Sequence, residues 1–310
     1  MLPDVSRDVS SEVTAHGVVA VLRHPLVEAE SDVVGVMRRV LEGTGLRLLE
    51  LDRETLDRLP APLEQARILL TLGGDGTLLH AARLAAPLGI PLLGVNLGRL
   101  GFLTELEASQ VEDGLRRFLA GDYRIDERTL VEVRITRQDS VVTTLLGLNE
   151  AVLQRDASQA MLRLGVVVDG QTVGIFDADG AVVATSTGST AYALAAGGPI
   201  VDPRFDGLVL APLNPFALTV RPIVFPPGQG LTLELVRNGG LVSVDGGSPV
   251  RLEQGDRLCA SANPERLQLV RFSPPERFYT LLRMKLGWGL PLVPTVRGSE
   301  GQDERPREVR

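Results

Sequence analysis

The chain has 310 residues, a net charge of −7 and a single cysteine, Cys259. The acidic balance argues against a nucleic-acid partner, and one cysteine excludes both an intrachain disulfide and a cysteine-based metal site. The length favours two domains, and a composition that is 44% hydrophobic but only 4% aromatic indicates a mostly aliphatic core.

The N-terminal segment, MLPDVSRDVSSEVTAHG, is polar and lacks the apolar core of a signal peptide. No apolar run approaches the length that spans a bilayer, so we expect a cytoplasmic protein with no membrane partner. The three histidines, His16, His24 and His80, do not have the spacing of a metal site. We therefore predict no cluster of side chains that binds a metal ion.

The first part of the chain alternates apolar strand-like runs with helical segments. This alternation favours a parallel sheet with crossover helices, in which ligands lie beyond the carboxyl ends of the strands. Strands are predicted at Val18–Leu22, Leu46–Leu51, Ile68–Leu72 and Pro91–Val95, and helices at Glu30–Leu41, Leu78–Ala86 and Val111–Ala120.

The pentapeptide GGDGT lies between the third of these strands and the helix that follows it. Gly73, Gly74 and Gly76 let the main chain turn sharply and approach a ligand without a Cβ in the way. Because a carboxylate repels phosphate, Asp75 in such a loop indicates phosphoryl transfer, in which the acid holds Mg²⁺ or accepts a hydroxyl proton. The alternative is that Asp75 or Thr77 caps the helix, but a cap does not account for three glycines.

The glycine spacing fits neither G-x-x-x-x-G-K-[ST] nor G-x-G-x-x-G. The single lysine, Lys285, lies far from the loop in sequence, so Mg²⁺, backbone amides and arginine would have to balance phosphate charge. His80 follows one turn into the helix, where a side chain more often packs or is solvated than binds ligand.

After Gly121 the pattern changes to short β-rich runs separated by Asp/Gly turns, which predicts a mostly antiparallel domain. The runs are Leu130–Thr136, Val141–Leu148, Met161–Val168, Gln171–Phe176, Leu231–Val236, Leu241–Val244, Arg257–Ala260 and Leu267–Val270. One clear helix is predicted at Thr190–Ala196, and a last helix at Phe278–Gly287 is expected to pack back on the first domain.

We therefore predict a Rossmann-like α/β domain and a second, mostly antiparallel β-rich domain. The polar ends of the chain have little to bury, and we expect them to be flexible. The predicted boundaries are 17–125 for the α/β domain, 126–272 for the β-rich domain, 273–297 for the C-terminal helix, and 1–16 with 298–310 for the tails.

Three further segments carry more polar groups than their apolar surroundings predict. Asn149 and Glu150 end an apolar strand, Asp179 begins another, and Asp245 follows a strand that ends in Val244. The sequence TSTGST, five hydroxyls in six residues, lies at a predicted helix start. One hydroxyl suffices for a cap, so the excess indicates hydrogen bonds to a ligand. Asn149 or Asp245 taken singly could equally be a turn residue that bonds its own backbone.

Together these segments resemble the NAD kinase family. The resemblance spans roughly residues 18–290. GGDGT alone also occurs in close forms in lipid kinases and phosphofructokinases, so the specificity comes from the combination. The matching segments are GGDGT, GVNLGRLGFL (Gly94 to Leu103), LNEAVLQR (Leu148 to Arg155), DGAVVATSTGSTAYALAAGGPI (Asp179 to Ile200), RPIVFP (Arg221 to Pro226) and VSVDG (Val242 to Gly246).

The resemblance implies transfer of a phosphoryl group from ATP, or from polyphosphate, to the 2′-hydroxyl of the adenosine ribose of NAD, which yields NADP. It implies Mg²⁺ or another divalent cation with ATP, an active site in the interdomain cleft, and a homodimer or homotetramer. One alternative is a lipid or sphingoid-type kinase, whose acceptor would lie in an apolar channel. Another is a non-catalytic NAD(P)-binding sensor, which would not need an acid in its phosphate loop.

The resemblance also implies residue roles. Asp75 resembles the acid/base partner or Mg²⁺ organiser, and Asn149 resembles the residue that reads the adenine edge, with Glu150 beside it. Asp179 resembles the partner of the nicotinamide half, and Arg155 is a candidate phosphate contact. The other implied binding residues are Gly73, Gly74, Gly76, Thr77, Phe102, Thr187, Thr190, Ala191, Tyr192 and Asp245.

This chain departs from the family pattern at three positions. Ser186 stands where proline is usual, Phe216 where histidine follows proline, and Ala195 where a small hydroxyl residue is often found. None of these lies in GGDGT or in the Asn149–Glu150 pair. They leave binding of the nicotinamide half less defined than the chemistry.

Overall fold

The computed structural model describes residues 17–26, 32–51, 61–98 and 101–289. The predicted tails, 1–16 and 298–310, lie outside the described residues. The described residues fall into two compact units, one up to Ser273 and one from Pro274 onward. No helix within the described ranges is long and apolar enough to cross a bilayer.

The first part of the chain forms parallel strands and helices as the alternation predicted. Strand β3 lies between β1 and β4, and β2 lies on the outer side of β1, all parallel. The elements are β1 (Gly17–Arg23), α1 (Asp32–Leu41), β2 (Leu46–Leu51), β3 (Ala66–Gly73), α2 (Asp75–Ala85), β4 (Leu92–Asn96), β5 (Leu106–Glu107) and α3 (Val111–Leu119), with short 3₁₀ helices at Ala61–Gln65, Ala86–Leu88 and Ala108–Gln110.

Both faces of β3 are covered, because successive side chains of a strand point to opposite faces of the sheet. Ile68, Leu70 and Leu72 are buried in one cluster with apolar residues of α1 and α3. Leu69 is buried in another cluster with Leu78 and three alanines of α2. The run from Ile68 to Leu72 is therefore apolar except for the buried Thr71, as expected for a strand that is covered on both faces.

The second part of the chain is rich in antiparallel strands, as predicted. Its elements are β6 (Arg124–Arg137), β7 (Ser140–Gly147), β8 (Glu150–Arg155), β9 (Leu162–Val168), β10 (Gln171–Ala178), β11 (Gly180–Thr185), α4 (Tyr192–Ala195), β12 (Leu208–Leu213), β13 (Ile223–Phe225), β14 (Leu231–Arg237), β15 (Gly240–Val244), β16 (Val250–Leu252) and β17 (Arg257–Arg271).

These strands form two sheets. One has six strands in the order β13-β12-β11-β8-β15-β16. The other has eleven, because β17 pairs with β6 and β14 and also, in parallel, with β4 through Leu269 and Leu92. The parallel strands and part of the antiparallel strands thus belong to one continuous sheet.

Two sequence predictions in this part were wrong in detail. The separate runs Arg257–Ala260 and Leu267–Val270 are one 15-residue strand, β17, whose pairing with β6 is irregular between Ala262 and Arg266. The predicted helix Thr190–Ala196 is a 3₁₀ turn, Gly188–Thr190, followed by the four-residue α4. Hydroxyl side chains that bond nearby carbonyls compete with helical backbone bonds, which explains the break.

Helix α5 (Arg277–Leu286) lies in the C-terminal unit and confirms the predicted last helix. It ends at Gly287, whose φ of 63° lies in the left-handed region that favours glycine at a helix end. Its packing on the first domain and the domain boundaries stay predictions.

Candidate functional site

The GGDGT loop begins at the end of β3 and continues into α2, as predicted. A Cβ at Gly73 would lie 2.3 Å from the Thr77 hydroxyl oxygen, so this position has room only for glycine. At Gly74 and Gly76 an added Cβ would meet nothing within 4 Å, and both residues are exposed. The main chain here is therefore open on its outer side, at the N-terminus of a helix, where backbone N–H groups favour an anion.

Asp75 does not serve as the cap of α2. It is the first residue of the helix, and the capping position is Gly74, which has no side chain to accept a hydrogen bond. Instead, Asp75 Oδ2 accepts the backbone N–H of Phe102 at 2.8 Å and Oδ1 accepts that of Leu103 at 3.1 Å. The carboxylate thus joins the glycine loop to the segment after β4, and the capping alternative for Asp75 is wrong.

A cavity of about 330 Å³, here called the glycine-loop cavity, lies beside this loop. Thr77 Oγ1 is buried and has no hydrogen-bond partner among the described residues, so it is available to a bound group. The lining also brings in His80 and four residues at or just after the end of β1, none of which the sequence reasoning selected. The lining residues are Leu22, Arg23, His24, Pro25, Gly74, Gly76, Thr77, His80 and Asp245.

Asp245 connects this cavity with the Asn149–Glu150 segment. Its buried carboxylate accepts the backbone N–H of Leu148 at 2.6 Å, of Asn149 at 2.9 Å and of Glu150 at 3.0 Å. Burial raises the pKa of Asp245, while the three N–H groups and Arg83 act in the opposite direction. Asp245 therefore orients the segment that carries Asn149.

Glu150, in the same segment, has a raised pKa. Burial and the neighbouring Asp245 charge raise its pKa to about 7, against a backbone hydrogen bond from Tyr192 that lowers it. Its Oε2 is buried without a hydrogen-bond partner among the described residues. The side chain is therefore close to half-protonated at neutral pH and can donate or accept a hydrogen bond.

Most hydroxyls of the TSTGST segment are used inside the protein. Thr185 donates to the carbonyl of Leu148 at 2.6 Å, and Gly188 lies against the Asn149 carbonyl, where an added Cβ would be 2.1 Å away. The hydroxyls of Ser186, Ser189 and Thr190 also donate to main-chain carbonyls. The excess of hydroxyls thus has an internal explanation, and ligand contacts by Thr187 and Thr190 stay predictions.

Arg155 and Asp179 lie together in a second cavity of about 530 Å³, here called the Asp179 cavity. Arg155 Nε donates to Asp179 Oδ1 at 2.6 Å, and Asn214 Nδ2 donates to Oδ2 at 3.1 Å. The hydrogen bond from Arg155, followed by that from Asn214, lowers the pKa of Asp179. The lining residues are Gln154, Arg155, Ala157, Asp179, Tyr192, Ala195, Ala196, Pro212, Leu213, Asn214 and Pro215.

Family models match most of the chain. The model described as "ATP-NAD kinase N-terminal domain" matches residues 27–123, and that described as "ATP-NAD kinase C-terminal domain" matches residues 148–272. The chain belongs to the NAD kinase family. The resemblance found in the motifs is confirmed by this match.

Whole-sequence comparisons agree with the family models. An NAD kinase of Heliobacterium modesticaldum is 41% identical over 245 residues, which cover 78% of this chain and 86% of that protein. An NAD kinase of Moorella thermoacetica is 42% identical over 242 residues, which cover 77% and 74% of the two chains.

Solved structures confirm the fold. Yeast NADH kinase complexed with NADH superimposes with a TM-score of 0.78 at 22% identity and covers 90% of both chains. An NAD kinase from Archaeoglobus fulgidus in complex with ATP gives a TM-score of 0.67 at 24% identity, covering 86% of this chain and 97% of that one. The α/β architecture with a β-rich second part is thus that of NAD kinase structures.

The NAD kinase fold brings some predicted residues together and separates others. Hydrogen bonds join Asp75 to Phe102 and Asn149 to Asp245, and Asp245 lines the glycine-loop cavity with Gly74 and Gly76. Arg155, Asp179 and Tyr192 line the Asp179 cavity instead. Arg23 and His24 could have been found from the sequence, because they follow a strand whose carboxyl end is at the same sheet edge as the glycine loop.

The described residues contain no group of three or more His, Cys, Asp or Glu side chains that could hold a metal ion. Mg²⁺ that a nucleotide carries commonly uses only one or two protein carboxylates in addition to the phosphates. The Asp75 oxygens each accept one N–H group and keep further lone pairs. Thr77, two residues later in the chain, lines the cavity, and its hydroxyl has no hydrogen-bond partner among the described residues. These groups suit an ion that ATP carries.

Proposed function

We propose that this protein is an NAD kinase that transfers the γ-phosphoryl group of ATP to the 2′-hydroxyl of the adenosine ribose of NAD. The 2′-oxygen forms a bond to the γ-phosphorus while the bond from that phosphorus to the β,γ-bridging oxygen breaks. The products are NADP and ADP, and the hydroxyl proton goes to a base. The observation that carries the proposal is the GGDGT loop of a family member, whose Gly74 and Gly76 line one cavity with Asp245, the residue that bonds the Asn149 segment.

In this proposal Asp75 is the base. Its two bonds from Phe102 and Leu103 hold the carboxylate in one orientation, which is what a general base needs to meet a hydroxyl proton. The phosphates of ATP would lie in the glycine-loop cavity against Gly74, Gly76 and the start of α2. Mg²⁺ would be held by those phosphates with Asp75 or Thr77, and it would offset charge that builds up during transfer.

The dinucleotide would be bound by the second part of the chain. Asn149 would read the adenine edge beside Phe102, and Glu150 would contact a hydroxyl or ring nitrogen. The Asp179 cavity would take the nicotinamide half, with the carboxylate oriented by Arg155 and Asn214. Thr187, Thr190, Ala191 and Tyr192 would complete the cradle.

Mg²⁺ as the divalent ion and a homodimeric or homotetrameric assembly are proposals taken from the family resemblance, and a cytoplasmic location stays a prediction from the sequence. ATP is proposed as the donor, with polyphosphate to be compared with it. The lipid kinase and sensor alternatives have no support from the family match, because both halves of the chain match NAD kinase domains.

The direct test is to incubate the pure protein with Mg-ATP and NAD and to measure NADP with a dehydrogenase specific for NADP. Reactions without NAD, with polyphosphate in place of ATP, and with a sphingoid base in place of NAD separate the alternatives. NADP formed only when both nucleotides are present supports the proposal. If the protein phosphorylates the sphingoid base but not NAD, the lipid kinase function replaces the proposed one.

A further inference from the structure

Two buried arginines connect the Asp75 loop to the TSTGST segment, and the family motifs draw attention to neither. Arg271, at the end of β17, is 5% exposed and donates from Nη1 to the carbonyl of Leu103 at 2.8 Å. The N–H of the same Leu103 donates to Asp75. One residue of main chain therefore lies between the guanidinium of Arg271 and the proposed base.

Glu105 fixes the position of Arg271 relative to this loop. Its Oε1 accepts the N–H groups of Phe272 at 2.9 Å and Ser273 at 2.7 Å, and its Oε2 lies 3.3 Å from Arg271 Nη1. Its own N–H donates to the carbonyl of Gly94 in β4 at 2.8 Å. The end of β17 is thereby attached to the segment that supplies the N–H groups around Asp75.

Asp126 links Arg271 to the second arginine, Arg128. Its Oδ2 lies 3.4 Å from Arg271 Nε and 2.6 Å from Arg128 Nη2. Arg128 in turn donates from Nη1 to the Thr187 hydroxyl oxygen at 3.3 Å. Because Arg128 supplies the hydrogen in that bond, the Thr187 hydroxyl keeps its own hydrogen to donate to another group.

Stability alone is a poor reason for this arrangement. Burial and the nearby Arg271 charge lower the pKa of Arg128, which shows that its charged form is costly here. Buried ion pairs can often be replaced by apolar residues at no loss of stability. What apolar residues could not do is hold one carbonyl and one hydroxyl in defined directions at the two ends of the network.

We propose that Arg271, Asp126 and Arg128 are positioning residues that set where Asp75 stands relative to Thr187 during phosphoryl transfer. The inference rests on the proposed function for its catalytic part. The two ends of the network have different consequences. Loss of Arg271 loosens the loop that orients the base and lowers kcat, whereas loss of Arg128 loosens the Thr187 turn and raises KM for NAD.

The experiment compares Arg271→Gln, Arg271→Lys and Arg128→Gln with the wild type. Steady-state kinetics give kcat and both KM values, and circular dichroism verifies folding. The matched control is Arg137→Gln, because Arg137 makes a two-bond ion pair with buried Asp256 at the other end of β6. Arg271→Lys keeps the charge and one donor, so it provides a milder change if the glutamine variant does not fold.

We expect Arg271→Gln to lower kcat about ten- to hundredfold with KM for NAD changed less than about twofold, since small misplacements of a reacting group are costly. Arg271→Lys should recover part of the loss. Arg128→Gln should raise KM for NAD about tenfold, the effect of one lost hydrogen bond in a closed site. Arg137→Gln should leave kcat and KM within about twofold of the wild type, as expected of a site away from the chemistry.

Hydrogen exchange measured by mass spectrometry supplies a readout without catalysis. Amides in the peptide 101–106 should exchange faster in Arg271→Gln, and those in 185–190 faster in Arg128→Gln, while Arg137→Gln changes neither. Folded arginine variants with wild-type kinetics and exchange would overturn the proposal. If the wild type makes no NADP, the proposed function fails, and exchange alone then decides whether the network holds the two segments.

Discussion

Gly101 and Asp75 approach so closely that a Cβ added to Gly101 would lie 1.8 Å from the Asp75 Oδ1 atom. The requirement for glycine at 101 is one of space, because its backbone is not in the left-handed region. The two N–H groups that bind Asp75 belong to the residues directly after it, Phe102 and Leu103. The segment thus accepts the carboxylate only if Gly101 has no side chain.

The substitution Gly101→Ala should displace the Asp75 carboxylate and lower kcat about ten- to hundredfold, the scale of a small misplacement of a catalytic group. Gly98→Ala is the matched control, since an added Cβ there meets nothing within 4 Å. Steady-state kinetics of both variants provide the measurement. Equal activity in Gly101→Ala and Gly98→Ala would show that the carboxylate position does not matter for turnover.

Asp75→Asn should lower turnover by about 10²–10⁴, the usual contribution of a positioned acid/base group. Asparagine has one carbonyl oxygen, so it can keep only one of the bonds from Phe102 and Leu103 in the present geometry. NAD affinity should survive because the proposed base-reading contact comes from Asn149. Steady-state kinetics measure the turnover of the variant, and titrations measure its affinity for NAD and NADP. A folded variant with near-normal turnover would remove Asp75 from the chemistry.

Asn149→Ala should weaken NAD binding about ten- to hundredfold and affect ATP binding much less, since one hydrogen bond in a closed site would be lost. The Asn149 side chain makes no hydrogen bond within the described part of the chain, and its main-chain bonds to Asp245 and Thr185 do not need it. The melting temperature should therefore stay unchanged. Calorimetric titrations that show equal losses for both nucleotides would contradict the adenine-reading role.

At pH values above 7, Glu150→Gln should raise the melting temperature by about 2–4 °C. This is the shift expected for a modest gain in the free energy of unfolding in a protein of this size. The pKa of Glu150 is about 7 in the folded state, against an ordinary value of 4.5 for this side chain. Between these values the folded state binds more protons than the unfolded state, so stability falls as pH rises and stays lower above pH 7.

The difference between wild type and Glu150→Gln should therefore shrink at pH 5, where the wild-type side chain is protonated in the folded state. Differential scanning calorimetry at pH 5 and pH 8 measures both differences. Glu127→Gln, at an exposed position of β6, serves as the control. The same difference at both pH values would show that the Glu150 carboxyl does not titrate in this range.

The sequence by itself was enough to identify the strand, glycine turn and helix around GGDGT. Apolar periodicity and glycine are local signals, and they report on segments whose neighbours in space are also neighbours in sequence. The same reasoning predicted the parallel arrangement of the first strands and the antiparallel character of the later ones. It also identified Asn149, Asp179 and Asp245 as polar residues at strand ends, without saying what they bond.

Local signals predicted the structure less well where a hydroxyl group has several possible hydrogen-bond partners. The helix predicted at Thr190–Ala196 is broken near Ala191, and most hydroxyls of TSTGST bond carbonyls within the protein. A count of hydroxyls cannot distinguish a ligand from an internal acceptor, because some of the acceptors, such as the carbonyls of Leu148 and Pro203, belong to segments that are distant in sequence.

Only the tertiary structure decided which residues act on one another across the sheets. Asp245 bonds the N–H groups of a segment about a hundred residues earlier in the chain, and Arg271 reaches Leu103 across a still longer separation. The first contact depends on how β15 pairs with β8 and the second on how β17 pairs with β4 and β6, which no local periodicity encodes. The residue types at the site were therefore readable from the sequence, whereas the bonds that orient Asp75 and Asn149 required the fold.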